Sequence, residues 1–288
     1  MSRAFKVVDA FSSRPFLGNP VAVVLDAEGL DTAAMQAIAG WTNLSETTFV
    51  LPPGTPGADY RLRIFTPRSE LPFAGHPTLG TAHAMLEAGR VTPRDGQLVQ
   101  ECAVGLVRLA VAGEGAERRL TLELPSATVT PLGAADIAEL EAILGQRVEA
   151  GAAPSVVNVG AVWVVAQLAD AAAVLALQPD LARSAAFERR LGVTGVTVFG
   201  QGEGTGIEVR SFAPSGGVPE DPVCGSGNGS VAVFRRERGL LPPGGADYLA
   251  TQGRCVGRDG RVAVRVAAGG QVSVGGACVT CVDGVLAR

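Results

Sequence analysis

Lysine is almost absent from this chain of 288 residues, because Lys6 is the only one. A P-loop needs a lysine that reaches the phosphates of a nucleotide, and pyridoxal phosphate is held as a Schiff base on a lysine. Lys6 falls in the predicted opening strand, outside any glycine-rich loop. The sequence therefore has no P-loop lysine and argues against pyridoxal phosphate chemistry.

Histidine and cysteine are also scarce, with two and five residues respectively. An odd number of scattered cysteines is typical of reduced thiols in a cytosolic protein. Cys278 and Cys281 have C-x-x-C spacing, but an alternating strand pattern directs residues three apart to opposite faces. We therefore expect no zinc site or other metal.

No run of basic residues is present, and the formal net charge is −4. The apolar residues are mostly Ala and Val spread evenly, and no stretch approaches the roughly 20 apolar residues of a membrane span. The first residues do not resemble the apolar core of a signal peptide. We expect a cytoplasmic protein that binds neither nucleic acid nor membrane.

The segment from Phe73 to Gly80 organises the first part of the chain. Pro77 has a fixed φ that suits the first position of a helix, which predicts His76 as the N-cap. An apolar run continues to Gly89, a residue suited to a left-handed helix end. The sequence predicts a helix whose N-terminus lies at this glycine-proline segment.

The same design occurs again in the second part of the chain. Arg210–Pro214 resembles Arg63–Pro67, and Glu220–Ser230 leads into a helix ending at Gly239. In the aligned copies, Ala74, Gly75 and His76 match Cys224, Gly225 and Ser226. A unit used twice predicts two similar halves, and a helix N-terminus in each half offers free N–H groups to an anionic ligand.

The pattern of elements favours an α+β fold of two pseudo-symmetric halves, each an antiparallel sheet or barrel wrapped around a central helix. We predict halves at 1–124 and 125–288, with 125–131 as the link. Whether the last strand, about 276–288, crosses back to the first half stays open. Other segments are predicted as single elements: strands at Leu98–Val111 and Ser155–Ala166, and a helical region at Ala171–Leu191.

Glu46 is the strongest candidate for chemistry, although a lone glutamate before a strand is most often a solvated strand end. The corresponding strand of the second half has Gly195 or Val196 there and no acid. A carboxylate present in only one half, when partly buried, can both take and return a proton.

The other candidates have structural interpretations of similar weight. His76 is also explained as a helix cap, and Asp221 as a turn former. Cys224 precedes a helix N-terminus, which favours its thiolate, but it also fits a small buried position. We interpret His83 as a packing or solvent-facing residue.

The glycine-rich run from Gly225 to Ser230 has only a superficial similarity to a dinucleotide-binding turn. That turn follows a buried strand. Here the preceding residues are Pro219–Pro222, so we reject a nucleotide cofactor.

Taken together, four segments resemble the PhzF-like phenazine-biosynthesis isomerase family, which has the diaminopimelate epimerase-like fold. They are the Gly-Asn-Pro at 18–20, the Asn-Leu-Ser-Glu-Thr-Thr-Phe at 43–49, the segment from Phe65 to Gly80, and the segment from Glu220 to Gly227. The segments follow the family's order along nearly the whole chain.

The resemblance implies an active site between two halves, no cofactor, a small-molecule carboxylate substrate and usually a homodimer. Glu46 matches the proton-transferring glutamate, with His76 and Asp221 as accompanying acid/base groups. Substrate-binding residues implied by the match are, in addition, Asn19, Gly75, Cys224, Gly225 and Ser226.

The predicted activity is a cofactor-independent isomerisation that moves a proton between carbons of a small unsaturated carboxylic acid, as in trans-2,3-dihydro-3-hydroxyanthranilate isomerase. The related epimerases have a cysteine in each half, whereas here only Cys224 is a thiol and Ala74 takes the other position. Two alternatives stay open: an amino-acid-type racemase or epimerase using Cys224 and Glu46, and a non-catalytic metabolite-binding protein on the same fold.

Overall fold

The computed structural model describes residues 2–204 and 206–287, which form two compact units. Unit 1 comprises Met1–Leu122 with Gly275–Arg288, and unit 2 comprises Glu123–Val274. Within the described residues, no helix is long and apolar enough to cross a membrane.

Unit 1 contains nine strands and two α-helices among the described residues. The strands are β1 (Arg3–Ala10), β2 (Asn19–Val24), β3 (Thr47–Leu51), β4 (Tyr60–Phe65), β5 (Glu70–Leu71), β6 (Gln97–Cys102), β7 (Gly105–Ala112), β8 (Arg119–Glu123) and the C-terminal β18 (Cys278–Leu286). The helices are α1 (Thr32–Thr42) and α2 (Gly75–Glu87).

Unit 2 contains the remaining elements of the described chain. The strands are β9 (Thr128–Pro131), β10 (Ser155–Asn158), β11 (Val162–Gln167), β12 (Gly195–Gln201), β13 (Ile207–Ala213), β14 (Val218–Asp221), β15 (Ala246–Gln252), β16 (Gly260–Val266) and β17 (Val272–Gly276). The helices are α3 (Ala134–Leu144), α4 (Ala171–Leu175), α5 (Leu181–Leu191) and α6 (Gly225–Glu237).

The two units share one strand order with the same sequence of pairings. In unit 1 the order is β18-β1-β2-β3-β4-β6-β7, and β5 is a short strand on β4. In unit 2 the order is β9-β10-β11-β12-β13-β15-β16, and β14 is a short strand on β13. The α+β class with two similar halves is therefore confirmed.

The sheets are mixed, which corrects the expectation of purely antiparallel ones. In each unit two pairings are parallel: β2–β3 and β4–β6 in unit 1, β11–β12 and β13–β15 in unit 2. Each parallel pair is connected through one or more helices, because parallel neighbours need a crossover connection.

One helix in each unit is enclosed by its sheet. Every residue of α2 from His76 to Met85 is buried, and so is every residue of α6 from Gly227 to Arg235. Both helices therefore lie in the core of their unit with no face open to solvent along these residues. Close approach is part of the design, because a Cβ on Gly80 would lie 2.3 Å from a methyl of Val21. The central helix predicted for each half is confirmed.

Several single elements predicted from the sequence are divided in the structure. Gly105 (φ +103°) turns the predicted strand 98–111 into the hairpin of β6 and β7. Gly160 (φ +99°) does the same within 155–166. Asp170 and Asp180 each cap a helix N-terminus, so that 171–191 becomes α4 and α5. Residues 128–131 of the predicted link form β9, which pairs with β10.

Candidate functional site

Glu46 lies in the short connection between α1 and β3. Asn43 ends α1 in the left-handed region (φ 53°), and the backbone carbonyl of Glu46 accepts a hydrogen bond from Ala22 N (3.3 Å). These contacts hold the residue at the end of β3, and its side chain is 16% exposed. The glutamate is therefore fixed at its backbone and has a carboxylate that is only partly open to water.

His76 lies next to this carboxylate. Its Nε2 is 3.3 Å from Oε2 of Glu46, and its side chain is 8% exposed. Neither of these two atoms has a hydrogen-bond partner of good geometry among the described residues. Asn19 Nδ2 lies 3.5 Å from His76 Nδ1. An amide donor at Nδ1 places the proton of a neutral imidazole on Nε2, the atom that faces the carboxylate.

The N-terminus of α2 differs by two residues from the prediction. The helix begins at Gly75 and its N-cap is Ala74, so His76 is the second helical residue and not the cap. The prediction placed Pro77 at the first position, but proline is tolerated wherever its missing N–H would be unpaired, which includes the third. Since Pro77 has no N–H, the amides of the first turn that have no partner among the described residues are those of Gly75 and His76.

The N-terminus of α6 has an equivalent pair of unpaired amides, but its cap is different. The Sγ of Cys224, the N-cap, accepts a hydrogen bond from Gly227 N (3.2 Å). The amide of Asn228 is already bonded within the helix to the carbonyl of Cys224 (3.0 Å). Among the described residues this leaves the amides of Gly225 and Ser226 as the unpaired donors of the turn, at the positions of Gly75 and His76 in α2.

Asp221 and Ser226 are held close to this turn in unit 2. Asp221 Oδ1 accepts a hydrogen bond from Val223 N (3.0 Å), which bends the chain between β14 and α6. Trp163 Nε1 donates to the hydroxyl of Ser226 (3.0 Å). The same hydroxyl lies 3.5 Å from the Sγ of Cys224, and since its oxygen accepts from the indole, its proton is available to donate to this sulfur or to a ligand.

The thiol of Cys224 does not have the character predicted from its position. Burial raises the pKa of Cys224 well above its ordinary value, and the neighbouring charge of Asp221 adds to this rise. The residue is 4% exposed. The prediction that the helix dipole favours a thiolate is therefore wrong, because desolvation of the anion outweighs the dipole. The thiol is protonated at neutral pH.

Gln252, which the sequence analysis missed, fastens the start of α6. Its Nε2 donates to the carbonyl of Asp221 (2.9 Å), and its Oε1 accepts from Cys224 N (3.1 Å) and Asn228 Nδ2 (2.8 Å). Gln252 is fully buried at the end of the alternating strand β15. A polar residue on the apolar face of such a strand is the signal that identifies it. Trp163 was also missed, and no sequence pattern distinguishes it from an ordinary core aromatic.

The structure thus gathers the predicted residues into one group per unit. Glu46, His76, Asn19 and Gly75 lie together in unit 1. Asp221, Cys224, Gly225 and Ser226 lie together in unit 2. His83 belongs to neither group: it is buried in α2, and burial lowers its pKa to about 4, so it packs as a neutral ring. Among the described residues no cluster of three or more His, Cys, Asp or Glu side chains is arranged to hold a metal ion.

Comparison with known proteins gives one consistent family. A family model described as phenazine biosynthesis-like protein matches residues 8–284. Antisense-enhancing sequence 1 of Schizosaccharomyces pombe is 41% identical, over 98% of this chain and 97% of its own length. The trans-2,3-dihydro-3-hydroxyanthranilate isomerase of Pseudomonas aeruginosa is 38% identical, over 93% and 91%.

A solved structure supports the same fold. The phenazine biosynthesis protein of the PhzF family from Bacillus anthracis aligns with a TM-score of 0.88 and 23% identity, over 100% of both chains. At this identity the likeness shows the fold alone, and it confirms the diaminopimelate epimerase-like class predicted from the sequence.

Proposed function

Since the chain belongs to the phenazine biosynthesis-like family and is an isomerase, we propose that it moves a proton between two carbons of a small unsaturated carboxylic acid without a cofactor. The observation that carries the proposal is the 3.3 Å approach of the Glu46 carboxylate to the His76 imidazole at the N-terminus of α2. A base beside a hydrogen-bond donor and unpaired amides is the set of groups that carbon-acid chemistry needs.

In the proposed reaction Glu46 is the proton carrier. Its carboxylate takes a proton from a substrate carbon, and the electrons of the broken C–H bond move into the conjugated system of the acid. The protonated Glu46, whose acid proton exchanges with solvent, then gives a proton to a second carbon on the same face. Nothing is oxidised or reduced, and the enzyme returns to its starting state.

His76 is proposed to stabilise the negative charge that develops on the substrate. With Nδ1 directed to the Asn19 amide, the Nε2–H is the donor available beside Glu46. The amide of Gly75 adds a second donor at the same helix end. Such fixed donors act most strongly where charge develops in the transition state.

We assign the substrate carboxylate to the residues of unit 2. The amides of Gly225 and Ser226 and the hydroxyl of Ser226 form a compact set of donors at a helix N-terminus, which favours an anion. Asp221 is proposed as a second acid/base group.

Assembly as a homodimer is also part of the proposal, and light scattering of the purified protein tests it.

The name of one relative supports the proposed substrate class. The Pseudomonas aeruginosa protein that is 38% identical acts on trans-2,3-dihydro-3-hydroxyanthranilate, an unsaturated amino acid of the carboxylate class proposed here. We propose this compound as the first substrate to test, together with a panel of related amino and unsaturated carboxylic acids.

The experiment is NMR of these compounds in D₂O with wild-type protein and with Glu46→Gln, after dialysis against a chelator. We expect deuterium to enter a substrate carbon with the wild type alone. Exchange that persists in Glu46→Gln shows that another group is the base and overturns the role of Glu46. No exchange with any compound removes the support for isomerisation of this class.

A second candidate activity is favoured by the protonated, buried thiol of Cys224. A neutral thiol can donate a proton to a carbanion that Glu46 creates, which would make the protein a racemase or epimerase with two unlike groups. Under this alternative Cys224→Ser abolishes inversion of a chiral amino acid but leaves Glu46-dependent entry of deuterium. Chiral analysis of the same D₂O reactions separates the two activities.

A further inference from the structure

A buried pair of charges in unit 2 lies directly beside the candidate residue Asp221. Arg210 on β13 donates from Nε to Oε1 of Glu220 (3.0 Å) and from Nη2 to Oε2 (2.8 Å). The two side chains are only 6% and 10% exposed. A two-point contact between a guanidinium and a carboxylate fixes orientation as well as distance.

The guanidinium of Arg210 is itself held on its remaining sides. Its Nη1 donates to the backbone carbonyls of Val174 (3.1 Å) and Leu177 (2.8 Å). Its Cζ lies 4.9 Å from the centre of the Phe212 ring. All three guanidinium nitrogens therefore donate hydrogen bonds, and Arg210 holds Glu220 in one position.

Glu220 lies close in sequence to the start of α6, so that its fixed position restrains this part of the chain. It immediately precedes Asp221, and only three residues separate Glu220 from the N-cap Cys224. The carbonyl of Asp221 and the amide of Cys224 are both bonded to Gln252. The segment Asp221–Cys224 is therefore held by Arg210–Glu220 at one end and by Gln252 along its length.

Unit 1 contains the same pair in a weaker setting. Arg63 donates from Nε and Nη2 to the two oxygens of Glu70 (2.7 and 2.6 Å) and lies over the ring of Phe65. The side chains are 20% and 38% exposed, however. The other contact of Arg63 is with the hydroxyl of Thr32 rather than with backbone carbonyls. Greater exposure to solvent and a side-chain acceptor in place of backbone carbonyls make this copy a weaker anchor.

We propose that Arg210 and Glu220 are positioning residues that set the location of Asp221 and of the unpaired amides of Gly225 and Ser226. The contribution to turnover rests on the proposed function. The mechanical part, a fixed start of α6, stands without it. Small displacements of groups that bind or transfer protons are costly, since a shift of about 1 Å costs about 10²-fold in rate.

Hydrogen–deuterium exchange of the backbone tests the mechanical part without any substrate. The variants are Glu220→Gln, Glu70→Gln for the copy in unit 1, and Glu139→Gln for the exposed two-point pair of Glu139 with Arg183 in unit 2. We expect faster exchange at 221–228 in Glu220→Gln alone, with β12 unchanged as the measure of global opening. Equal exchange at 221–228 in all three variants and the wild type overturns the proposal.

Turnover of the substrate found in D₂O tests the catalytic part. We expect kcat/KM of the folded fraction to fall by about 10–100-fold in Glu220→Gln and less than about twofold in Glu70→Gln and Glu139→Gln. A fall explained by the unfolded fraction alone overturns the positioning role. If Glu220→Gln does not fold, Arg210→Lys, which keeps the buried charge but not the two-point contact, is measured in the same two assays.

The two failures are distinguishable. Wild-type protein that exchanges no substrate hydrogen contradicts the proposed function, and the backbone exchange of 221–228 still decides whether the pair fixes the start of α6. Normal turnover in Glu220→Gln with locally faster exchange limits the pair to a structural role and overturns the proposal as stated.

Discussion

The two central helices begin with equivalent pairs of amides that have no partner among the described residues, although their N-caps are chemically different. In α2 the third residue, Pro77, has no N–H, and the cap Ala74 has no side-chain acceptor. In α6 the third residue is Gly227, and its N–H is bonded to the Cys224 thiol. In both helices the amides of the first and second residues are left without a hydrogen-bond partner among the described residues. The comparison shows that two different third residues, Pro77 and Gly227, leave the same two donors available.

The surroundings of the two helix ends differ more than the ends themselves. Unit 1 has an acid and an imidazole in contact, Glu46 and His76, whereas unit 2 has a buried framework built on Arg210 and Gln252. In our proposal, the two units therefore have the same topology but different roles. Unit 1 supplies the proton carrier, and unit 2 supplies fixed donors.

Replacing His76 by serine is expected to have the largest effect, because it gives α2 the Gly-Ser start of α6. The amides are preserved while the Nε2–H donor beside Glu46 is lost. We expect kcat to fall by about 10²–10⁴-fold, the range attributed to a positioned acid or base. Steady-state kinetics on the substrate identified in D₂O provide the measurement.

The matched control for His76→Ser is Ser226→Ala at the equivalent position of α6. This change removes only a neutral hydroxyl and leaves the amides, so KM is expected to rise more than kcat falls. Equal losses of kcat in the two variants would contradict the division of tasks between the units.

The candidate residues were predictable where they are part of a local pattern. Glu46, His76 and Asp221 are within a few residues of glycine, proline or a strand end; the comparison of the two halves drew attention to Glu46, and the family resemblance indicated roles for all three. Gln252 and Trp163 belong to strands distant in sequence, and only the pairing of those strands brings them to α6. The divided elements show the same limit, because Gly105 and Gly160 are single residues whose left-handed φ no apolar periodicity reveals.

Replacing Arg210 by methionine should destabilise the protein far more than Arg63→Met. Removing one partner of a buried pair leaves the other charge unpaired in a low dielectric, which costs about 3–5 kcal/mol. An exposed pair is worth about 0–1 kcal/mol. Urea denaturation at neutral pH gives both values. Equal losses of unfolding free energy would mean that burial of the Arg210–Glu220 pair has no energetic consequence.

His83 provides a pH-dependent difference between the central helices, because the equivalent residue of α6 is the buried Val233. Its pKa is lowered to about 4 by burial from an ordinary value of 6.5. The unfolded chain therefore binds more protons between these values, and the folded state loses stability as the pH falls from 6.5 toward 4. Between pH 7 and pH 5 we expect the unfolding free energy of the wild type to fall by about 2 kcal/mol more than that of His83→Val.

The measurement for His83 is urea denaturation of wild type and variant at both pH values. Subtracting the variant from the wild type removes the contribution of carboxylates that titrate in the same range. A difference that does not change with pH would show that His83 is not desolvated in the folded protein.

Cys224→Ala is expected to have the smallest effect and tests the capping comparison itself. The change gives α6 the alanine cap of α2 but leaves Gly227, whose N–H then has no acceptor, whereas Pro77 never had one to satisfy. We expect a loss of about 1 kcal/mol in unfolding free energy, typical of a lost N-cap. Cys224→Ser, which keeps an acceptor, should lose less.

Activity in the two Cys224 variants decides what the thiol does. Because the thiol is buried and protonated, our proposal gives it a capping role, and deuterium entry into the substrate should persist in both variants. Loss of inversion of a chiral amino acid in Cys224→Ser, with deuterium entry and the fold preserved, would make the thiol a chemical participant. The second helix end would then differ from the first in chemistry as well as in its cap, and the likeness between α2 and α6 would extend to their amides alone.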